Sequence, residues 1–486
     1  MRNENVNKST KKETGRIYTP AYIVDNILNM SGYFGKKILK KHVIDNSCGD
    51  GAFLCQIVDR YCQEALKSQI DIEDLKNELS FFIHGIEINL IEKNKCVQNV
   101  SKVAANYGVS GVNWDIVCAD SLSIDLYNGK MDFVLGNPPY VRVHNLGANF
   151  EKTKSFSFSQ NGMTDLFIVF FEIGLNMLSE NGVLGYITPS SYFNSLAGSY
   201  LRRYLADNNL IKYVLDLKHY QAFDATAYTA ITILQNGKRT DETDYYNFDE
   251  INKIPYYVDT LRIGDFYISD NYYFTSTENL NRLHNIFNNP IKSDICVKNG
   301  YATLCDSVFI GDFDFSSEYI IPVVKSSKGV FQKIIYPYDK SANPVDEKQL
   351  KKDIELYKYL LSSKDKLTKR SNDRTGNKYW YAYGRSQAIN DTYKNKLSIN
   401  TLIRDENDLK FVFADAGIGV YSGLYILSEN INYNDIISAL KTKDFVQYIK
   451  VLGKYKSGGY YTFSSKDVKT YLDYIFACKG GLYAYE

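Results

Sequence analysis

The sequence predicts an α/β protein whose first half is a doubly wound, mainly parallel sheet, and three observations lead to this prediction. A short strand at 42–45 is followed by a glycine-bearing loop and by an amphipathic helix at 52–66, as in the first unit of such a fold. Short apolar runs at 81–86 and 114–118 each lead into an acidic residue. A further apolar run at 131–135 leads into a rigid polar turn.

The loop after the first strand predicts a ligand that carries positive charge. Its glycines, Gly49 and Gly51, allow the backbone to approach a ligand closely. The loop departs from the dinucleotide fingerprint because no third glycine follows three residues later. Asp45, at the strand end, repels phosphate and attracts a cation or an ammonium group.

Polar residues also end the next strands. Glu87 ends the second strand, where it can accept hydrogen bonds from ribose hydroxyls, and Asp120 follows the third, where it can accept from an adenine amino group. A lone acid at a strand end is more often a turn or helix cap. Because the carboxyl ends of parallel strands meet at one edge of a sheet, the ordered set Asp45, Glu87, Asp120 and Asn137 favours a binding site there.

The turn Asn137–Tyr140 predicts chemistry on a planar amine. Its two prolines stop the strand and stiffen the turn. The side-chain oxygen of Asn137 and the carbonyl of Pro138 can both accept hydrogen bonds from one exocyclic amino group. The ring of Tyr140 can stack on the base that carries this amino group. The alternative is that a Pro-Pro pair after a strand only terminates a loop.

In this order the motifs resemble those of the gamma-class, TaqI-like, S-adenosylmethionine-dependent DNA adenine-N6 methyltransferases, over roughly residues 15–235. The matching segments are Gly15–Pro20 with the helix from Ala21 to Leu28, the Asp45 loop, the Glu87 strand end, the Asp120 turn, Asn137–Tyr140, Asp165–Phe167 with the following helix, and Gly182–Ser190. The resemblance implies a Rossmann-like methyltransferase sheet and S-adenosyl-L-methionine as the cofactor.

The resemblance also implies the site residues. The catalytic residues would be Asn137, Pro138, Tyr140 and Phe223, the last placed against the target base although Asp224 follows where the family often has proline. The cofactor-binding residues would be Tyr18, Thr19, Asp45, Ser47, Gly49, Glu87, Ile88, Asp120, Ser121, Pro139 and Asp165.

The second half of the chain is the basic half. Residues 291–486 hold 29 Lys and Arg against 23 Asp and Glu, whereas the remainder holds 28 against 33. Residues 364–385 combine seven basic residues with four aromatic ones, a mixture that suits phosphate contacts and base stacking. The alternative is a solvated surface. The DNA-binding residues predicted here are Lys369, Arg370, Arg374, Lys378, Tyr379, Trp380, Tyr383 and Arg385.

We therefore expect four segments. Residues 1–14 form a flexible tail, 15–240 a methyltransferase catalytic domain, 241–290 a connector, and 291–486 a smaller α+β DNA target-recognition domain. The stretch before the cofactor motif is too short for a nuclease domain, so a cognate restriction endonuclease would be a separate protein.

Composition limits the other classes of protein. No apolar run reaches the length of a membrane span, and the polar start does not read as a signal peptide. The eight cysteines include no C-x-x-C pair, and the five histidines lack ligand spacing. We expect reduced thiols, no metal, no membrane association, a cytoplasmic location and a monomer.

The predicted function is methyl transfer to N6 of a flipped-out adenine at a defined site in double-stranded DNA. The enzyme would be the modification component of a restriction-modification system or an orphan epigenetic methyltransferase. Three alternatives stay open: an RNA or protein-glutamine methyltransferase with the same turn, a DNA N4-cytosine methyltransferase, and a nucleic-acid-binding protein that has lost activity.

Overall fold

The computed structural model of the chain describes residues 19–142, 145, 150–223, 227–237, 242–370 and 378–480, with the backbone alone described for 478–480. The predictions for residues 1–14, Tyr18 and Arg374 lie outside this part of the chain. The protein divides into two compact units, Met1–Asn281 and Arg282–Glu486.

The described residues of the first unit form a nine-stranded sheet in the order β3-β2-β1-β4-β5-β7-β6-β8-β9. Its strands are β1 (Val43–Asp45), β2 (Ile83–Glu87), β3 (Asp115–Cys118), β4 (Met131–Gly136), β5 (Leu178–Pro189), β6 (Ile211–Asp216), β7 (Thr229–Gln235), β8 (Glu242–Asp249) and β9 (Ile254–Arg262). Strands β7 and β9 run antiparallel to their neighbours, and the other pairings are parallel. The predicted doubly wound, mainly parallel sheet is confirmed.

The strand order reverses beside β1, and this reversal positions the site. Strand β1 pairs with β2 on one side and with β4 on the other, with Ile44 opposite His84 and Val134. The chain therefore leaves β1 and β4 at the same edge through neighbouring loops. In doubly wound sheets a ligand crevice opens at this switch point.

Helices and a short hairpin complete the first unit. The helices are α1 (Ala21–Met30), α2 (Ala52–Lys67), α3 (Ile72–Phe82), α4 (Leu90–Ala105), α5 (Phe150–Thr153), α6 (Leu166–Met177), α7 (Ser199–Asp207), α8 (Ile263–Phe266) and α9 (Thr277–Phe287), which extends into the second unit. The hairpin pairs β10 (Tyr267–Ile268) with β11 (Asn271–Tyr272). The apolar faces of α1 and α2 are buried in one core with the central strands, as their spacing predicts.

Two sequence predictions differ from the structure in this unit. Phe81 and Phe82 belong to the end of α3 rather than to β2, and Phe81 is 63% exposed. Segment 241–290 also supplies β8 and β9 to the sheet instead of a connector. Local apolar content was a poor guide in both places. The apolar Phe81 and Phe82 end a helix, and β9 is an edge strand with polar and aromatic residues exposed.

The second unit is the α+β arrangement expected of it. Its described residues form one four-stranded sheet, β12-β19-β15-β17, and two three-stranded sheets, β14-β13-β18 and β16-β21-β20. The strands are β12 (Cys296–Asn299), β13 (Ile320–Lys325), β14 (Val330–Ile335), β15 (Lys396–Ile399), β16 (Leu402–Ile403), β17 (Phe411–Ala414), β18 (Gly419–Tyr421), β19 (Leu424–Leu427), β20 (Tyr455–Lys456) and β21 (Tyr460–Thr462). The helices are α10 (Asp306–Phe309), α11 (Glu347–Leu350), α12 (Ile354–Ser362), α13 (Lys364–Thr368), α14 (Tyr433–Leu440), α15 (Lys443–Val451) and α16 (Ser465–Gly480). Across the part of the chain that the structure describes, no helix has the length and apolar character needed to cross a membrane.

Candidate functional site

The ends of β1 and β2 hold two acidic side chains close to the glycine loop. Glu87 Oε2 accepts a 3.0 Å hydrogen bond from the Gly49 backbone N–H, and its Oε1 accepts a 2.8 Å bond from the Asn89 backbone N–H. Asn89 in turn caps α4, since its side-chain oxygen accepts from two backbone N–H groups. The carboxylate is thus fixed in orientation by the loop and by the start of the helix.

The glycine loop has a backbone shape that favours glycine over residues with a Cβ. Gly49 and Gly51 have positive φ angles of 53° and 96°, in the left-handed region that glycine enters without strain. A Cβ on Gly51 would lie 2.9 Å from the Cys96 sulfur. The loop therefore packs against α4 at Gly51 and leaves open space at Gly49, where no heavy atom lies within 4 Å of the position of a Cβ.

Asp45 is buried at the end of β1 in a setting that disfavours its charge. Burial, with a smaller contribution from the negative Glu87, raises the pKa of Asp45 to about 7, while a hydrogen bond from the Ser47 N–H opposes the shift. That bond measures 3.0 Å to Oδ1. A carboxyl group in this state would gain from a positively charged ligand group nearby.

The third strand end is engaged by a residue that the sequence did not single out. Asp120 Oδ2 lies 2.8 Å from the Nζ of Lys152, in α5, and its Oδ1 accepts from the Leu122 N–H. Ser121 is turned inward, because its hydroxyl donates a 2.6 Å hydrogen bond to the carbonyl of Asn46. Ile88 is 61% exposed and so offers an apolar surface next to Glu87.

Asn137, directly after β4, has one end of its amide bound and the other free. Its Nδ2 donates a 3.0 Å hydrogen bond to the hydroxyl of Thr19, which is itself buried. Its Oδ1 is buried and has no hydrogen-bond partner among the described residues. A buried acceptor without a partner is rare in native proteins and suggests that a ligand supplies the missing donor. Pro138 is buried and Pro139 half-buried, so the turn is held on both sides.

Tyr140 closes the turn with its ring held edge-on against two phenylalanines. Its centroid lies 6.3 Å from that of Phe167 and 6.2 Å from that of Phe223. Its hydroxyl donates a 3.1 Å hydrogen bond to the carbonyl of Ile187. Burial raises the pKa of Tyr140 well above its usual range, and the ring contacts together with the hydroxyl bond hold the ring in this orientation.

Two further predicted cofactor residues lie at the edges of this region. The Ser47 hydroxyl donates a 3.4 Å hydrogen bond to the backbone carbonyl of Asn137, which links the β1 loop to the β4 turn. Asp165 precedes α6 and forms an isolated bridge with Arg142, whose Nε lies 3.9 Å from its carboxylate. The loops after β1 and β4 are thus in direct contact, whereas the order of motifs in the sequence predicted only that they lie at the same edge of the sheet.

A cluster around Lys253 was also missed by sequence reasoning. Lys253 Nζ donates a 2.9 Å hydrogen bond to the Tyr220 hydroxyl, which lies 2.6 Å from the hydroxyl of Tyr22. The backbone carbonyl of Lys253 accepts from the side chain of Asn26. The β8–β9 turn thereby joins α1 to the segment that leads into Phe223, and no local pattern in the sequence signals this.

The predicted DNA-binding residues divide into exposed and buried groups. Lys369, Lys378 and Arg385 are exposed, and Lys378 Nζ lies 5.0 Å from the Tyr379 ring centroid. Arg370 is half-buried and donates to the backbone carbonyls of Leu367, Thr303 and Trp380 at 2.7, 2.9 and 2.9 Å.

Trp380 and Tyr383 are 2% and 5% exposed and belong to the core of the second unit. The Tyr383 hydroxyl donates to the carbonyl of Ile335, deep in that core. In this structure their rings present no face to a ligand, because both are packed inside that core.

The part of the chain that carries these strand ends resembles a known protein family. Residues 37–223 match the Eco57I restriction-modification methylase family. This range runs from before β1 to Phe223 and so contains all four polar strand ends and the turn at Asn137.

Curated relatives carry related names. Type II methyltransferase M.BstVI of Geobacillus stearothermophilus is 29% identical over 377 residues, which cover 68% of this chain and 66% of the relative. M.PaeR7I of Pseudomonas aeruginosa is 29% identical over 233 residues, which cover 45% of this chain and 40% of the relative. RM.Eco57I of Escherichia coli, described as a Type II restriction enzyme and methyltransferase, is 22% identical and is covered over 54% of its length. The chain thus spans two thirds or less of the length of each of these relatives.

Solved structures share the fold. The Type IIL restriction-modification enzyme MmeI, in complex with DNA, matches with a TM-score of 0.64 at 15% identity over 91% of this chain and 63% of its own. A DrdV–DNA complex matches with a TM-score of 0.56 at 12% identity over 92% of this chain and 53% of its own. The chain is thus similar to Type II methyltransferases over part of its length, and its residues 37–223 match the Eco57I restriction-modification methylase family.

Proposed function

We propose that the protein is a site-specific DNA methyltransferase that transfers a methyl group from S-adenosyl-L-methionine to N6 of an adenine in double-stranded DNA. The observation that carries the proposal is the Oδ1 of Asn137, a buried acceptor with no partner among the described residues, at the switch point of the sheet. The similarity to Type II methyltransferases supports it.

The turn has the groups that this reaction needs. The lone pair of an adenine amino group is delocalised into the ring, so the nitrogen is a poor nucleophile. The amino group would donate one hydrogen bond to Asn137 Oδ1 and one to the Pro138 carbonyl. These two bonds would draw the nitrogen toward tetrahedral geometry. The positive charge that develops there would then face two fixed dipoles. Asparagine is no general base, so the methylated nitrogen would release its extra proton to water after the methyl group has been transferred from the sulfonium.

The residues around the glycine loop fit the proposed cofactor. S-adenosyl-L-methionine supplies a methyl group on a sulfonium. The oriented carboxylate of Glu87 suits ribose hydroxyls, and the exposed Ile88 suits the face of an adenine ring. The carboxyl of Asp45, buried at the end of β1, would suit a cationic group of the cofactor, which would compensate the cost of burying its charge. Asp120 would accept from the adenine amino group once Lys152 moves away from it.

The aromatic rings at the turn suit a base taken out of the duplex. A target adenine cannot be reached inside the helix, and flipping it costs roughly a few kcal/mol. Stacking on an aromatic ring is worth about 1–3 kcal/mol per base. Tyr140, held edge-on against Phe167 and Phe223, is fixed for that purpose before any substrate arrives.

The second unit would supply contacts to the DNA. Its exposed Lys369, Lys378 and Arg385 suit phosphate groups, which carry most of the affinity in such complexes. We further propose that the enzyme acts in the cytoplasm as a monomer, either with a separate restriction endonuclease or as an orphan methyltransferase.

The function is tested with S-adenosyl-L-methionine labelled in the methyl group, incubated separately with duplex DNA, RNA and protein extract. We expect label in duplex DNA, and none with Asn137→Ala, while that variant still binds cofactor and DNA. Asn77→Ala, which alters an exposed asparagine on α3, is the matched control and should keep full activity. Label confined to RNA or protein, or full activity of Asn137→Ala, contradicts the proposal.

Cofactor binding is tested by calorimetry on Glu87→Gln. Hydrogen bonds to a charged group are worth about 1.5–3 kcal/mol, so the affinity should fall roughly tenfold or more. Glu73→Gln, at an exposed position on α3, should bind as the wild type does. Equal cofactor affinities in the two variants would show that Glu87 does not contact the cofactor.

A further inference from the structure

The second unit contains a polar cleft that none of the predicted DNA-binding residues lines. It has a volume of about 370 Å³ and lies between the edge strand β12 and the segment 386–391. The residues of its lining that bear on its chemistry are Lys298, Asn299, Ser386, Gln387, Asn390 and Asp391.

Three amide side chains line this cleft, and their hydrogen-bonding groups are largely unused. Asn299 and Asn390 are exposed, and within the described part of the chain their side chains make no hydrogen bond. Gln387 donates through Nε2 to the carbonyl of Gly300 at 2.5 Å, which orients the amide and leaves Oε1 as an acceptor. Each asparagine amide offers a donor and an acceptor side by side, and an adenine edge in the major groove presents the complementary pair at N6 and N7.

A positive rim adjoins these amides. The buried carboxylate of Asp391 accepts hydrogen bonds from Lys298 Nζ at 2.6 Å and from the Tyr425 hydroxyl at 2.8 Å, and Lys394 Nζ lies 2.9 Å from its other oxygen. Burial alone would raise the pKa of Asp391, but these contacts outweigh it and lower the pKa to about 2. One carboxylate therefore anchors two half-exposed ammonium groups, and the exposed Arg385 precedes the cleft segment.

The backbone of the cleft segment is strained. Ala388 has a φ of +67°, in the left-handed region that residues with a Cβ rarely enter. It directly precedes a short 3-10 helix, Ile389–Asp391, whose last residue is the anchoring aspartate. Strained backbone of this kind is concentrated where a structure must hold side chains in a set arrangement.

We propose that this cleft reads the sequence of the target DNA, with Asn299, Asn390 and Gln387 contacting base edges, adenine above all, and with Lys298, Lys394 and Arg385 contacting the flanking phosphates. The division between amides that face bases and cations that hold the backbone is the usual division of labour in sequence-specific recognition. The inference rests on the proposed function, because it assigns the residues that choose the DNA site for the reaction at Asn137.

The test uses the full-length protein and a library of randomised duplexes, incubated with S-adenosyl-L-methionine and sequenced for methylated positions. A bidentate contact to a base discriminates by about 1–3 kcal/mol, so Asn299→Ala and Asn390→Ala should each relax base preference roughly 5- to 150-fold at one or two positions of the site. Asn434→Ala, which alters an exposed asparagine on α14 outside the cleft lining, should leave preference unchanged. Cofactor affinity and thermal midpoint should match the wild type in all three.

A charge variant tests the rim separately. Arg385→Gln should weaken binding to all duplexes alike and reduce the slope of log affinity against log salt by about one, with base preference intact. Base preferences of Asn299→Ala and Asn390→Ala equal to those of the wild type would overturn the cleft assignment and leave the proposed function standing. If the wild-type protein methylates only RNA, or methylates no nucleic acid, both the proposed function and the cleft assignment are wrong.

Discussion

Asn137 donates from its Nδ2 to the hydroxyl of Thr19 at 3.0 Å, and this bond leaves its Oδ1 as the free end of the amide. The contact joins a residue just before α1 to the turn after β4, across 118 positions of sequence. It fixes which end of the amide is available to a substrate.

Thr19→Val should therefore slow methyl transfer. The substitution keeps the shape of the side chain but removes the acceptor, and a hydrogen bond is worth about 1 kcal/mol net, which corresponds to roughly a fivefold lower rate. Thr19→Ser keeps the hydroxyl and should retain most of the activity. Single-turnover rates at saturating cofactor measure this. Equal rates for the two variants would mean that the amide is held by other contacts.

The Tyr140 ring and its hydroxyl should have separable effects. Tyr140→Phe keeps the ring between Phe167 and Phe223 and loses only the bond to the Ile187 carbonyl, so the rate should fall little. Tyr140→Ala removes a stacking surface worth about 1–3 kcal/mol, so its methyl-transfer rate should fall further than that of Tyr140→Phe. Because stacking offsets the cost of flipping, the loss in Tyr140→Ala should shrink when the target adenine is mispaired. A loss of the same size on paired and mispaired targets argues against stacking.

The buried Asp45 should give the cofactor-free protein a distinctive dependence on pH. Its pKa is raised in the folded protein to about 7 from an ordinary value of 3.8, so the folded state binds the proton more tightly. Its contribution to stability is therefore fully present below the ordinary pKa and is lost as the pH rises through about 7. The urea midpoint of the wild type should fall between pH 5 and 8 relative to that of Asp45→Asn. Parallel curves for the two proteins would show that Asp45 titrates normally.

Lys369 and Arg370 are adjacent in sequence, but their substitution should have different consequences. Arg370→Ala removes three hydrogen bonds to backbone carbonyls and should lower the thermal midpoint of unfolding. Lys369→Ala, at an exposed position, should leave the midpoint unchanged while weakening DNA binding and reducing its salt slope by about one. Unfolding scans and binding titrations over a range of salt concentrations distinguish them. A stable Arg370→Ala protein, or a Lys369→Ala protein with normal DNA binding, would contradict these roles.

The sheet of the first unit could be predicted from sequence because its signals are local. Each short apolar run leads into a polar residue, and parallel strands bring those ends to one edge, so the positions of Asp45, Glu87 and Asn137 at that edge follow from their place in the chain. The start of β2 was misplaced because Phe81 and Phe82 are apolar, yet they end a helix.

Contacts between distant residues could not be predicted in the same way. The pairing of Lys152 with Asp120 and the Lys253 cluster depend on how separate loops fold back, which no spacing encodes. In the same way, a segment rich in basic and aromatic residues predicted DNA contacts, but long-range packing buries Trp380 and Tyr383.

Mass spectrometry of the nucleosides from duplex DNA treated with the wild-type protein and S-adenosyl-L-methionine, with Asn137→Ala treated in parallel, identifies the product of the reaction. We expect N6-methyladenine with the wild type and no methylated nucleoside with Asn137→Ala. N4-methylcytosine as the sole product would contradict the assigned base, and N6-methyladenine at equal yield from both proteins would contradict the role of Asn137.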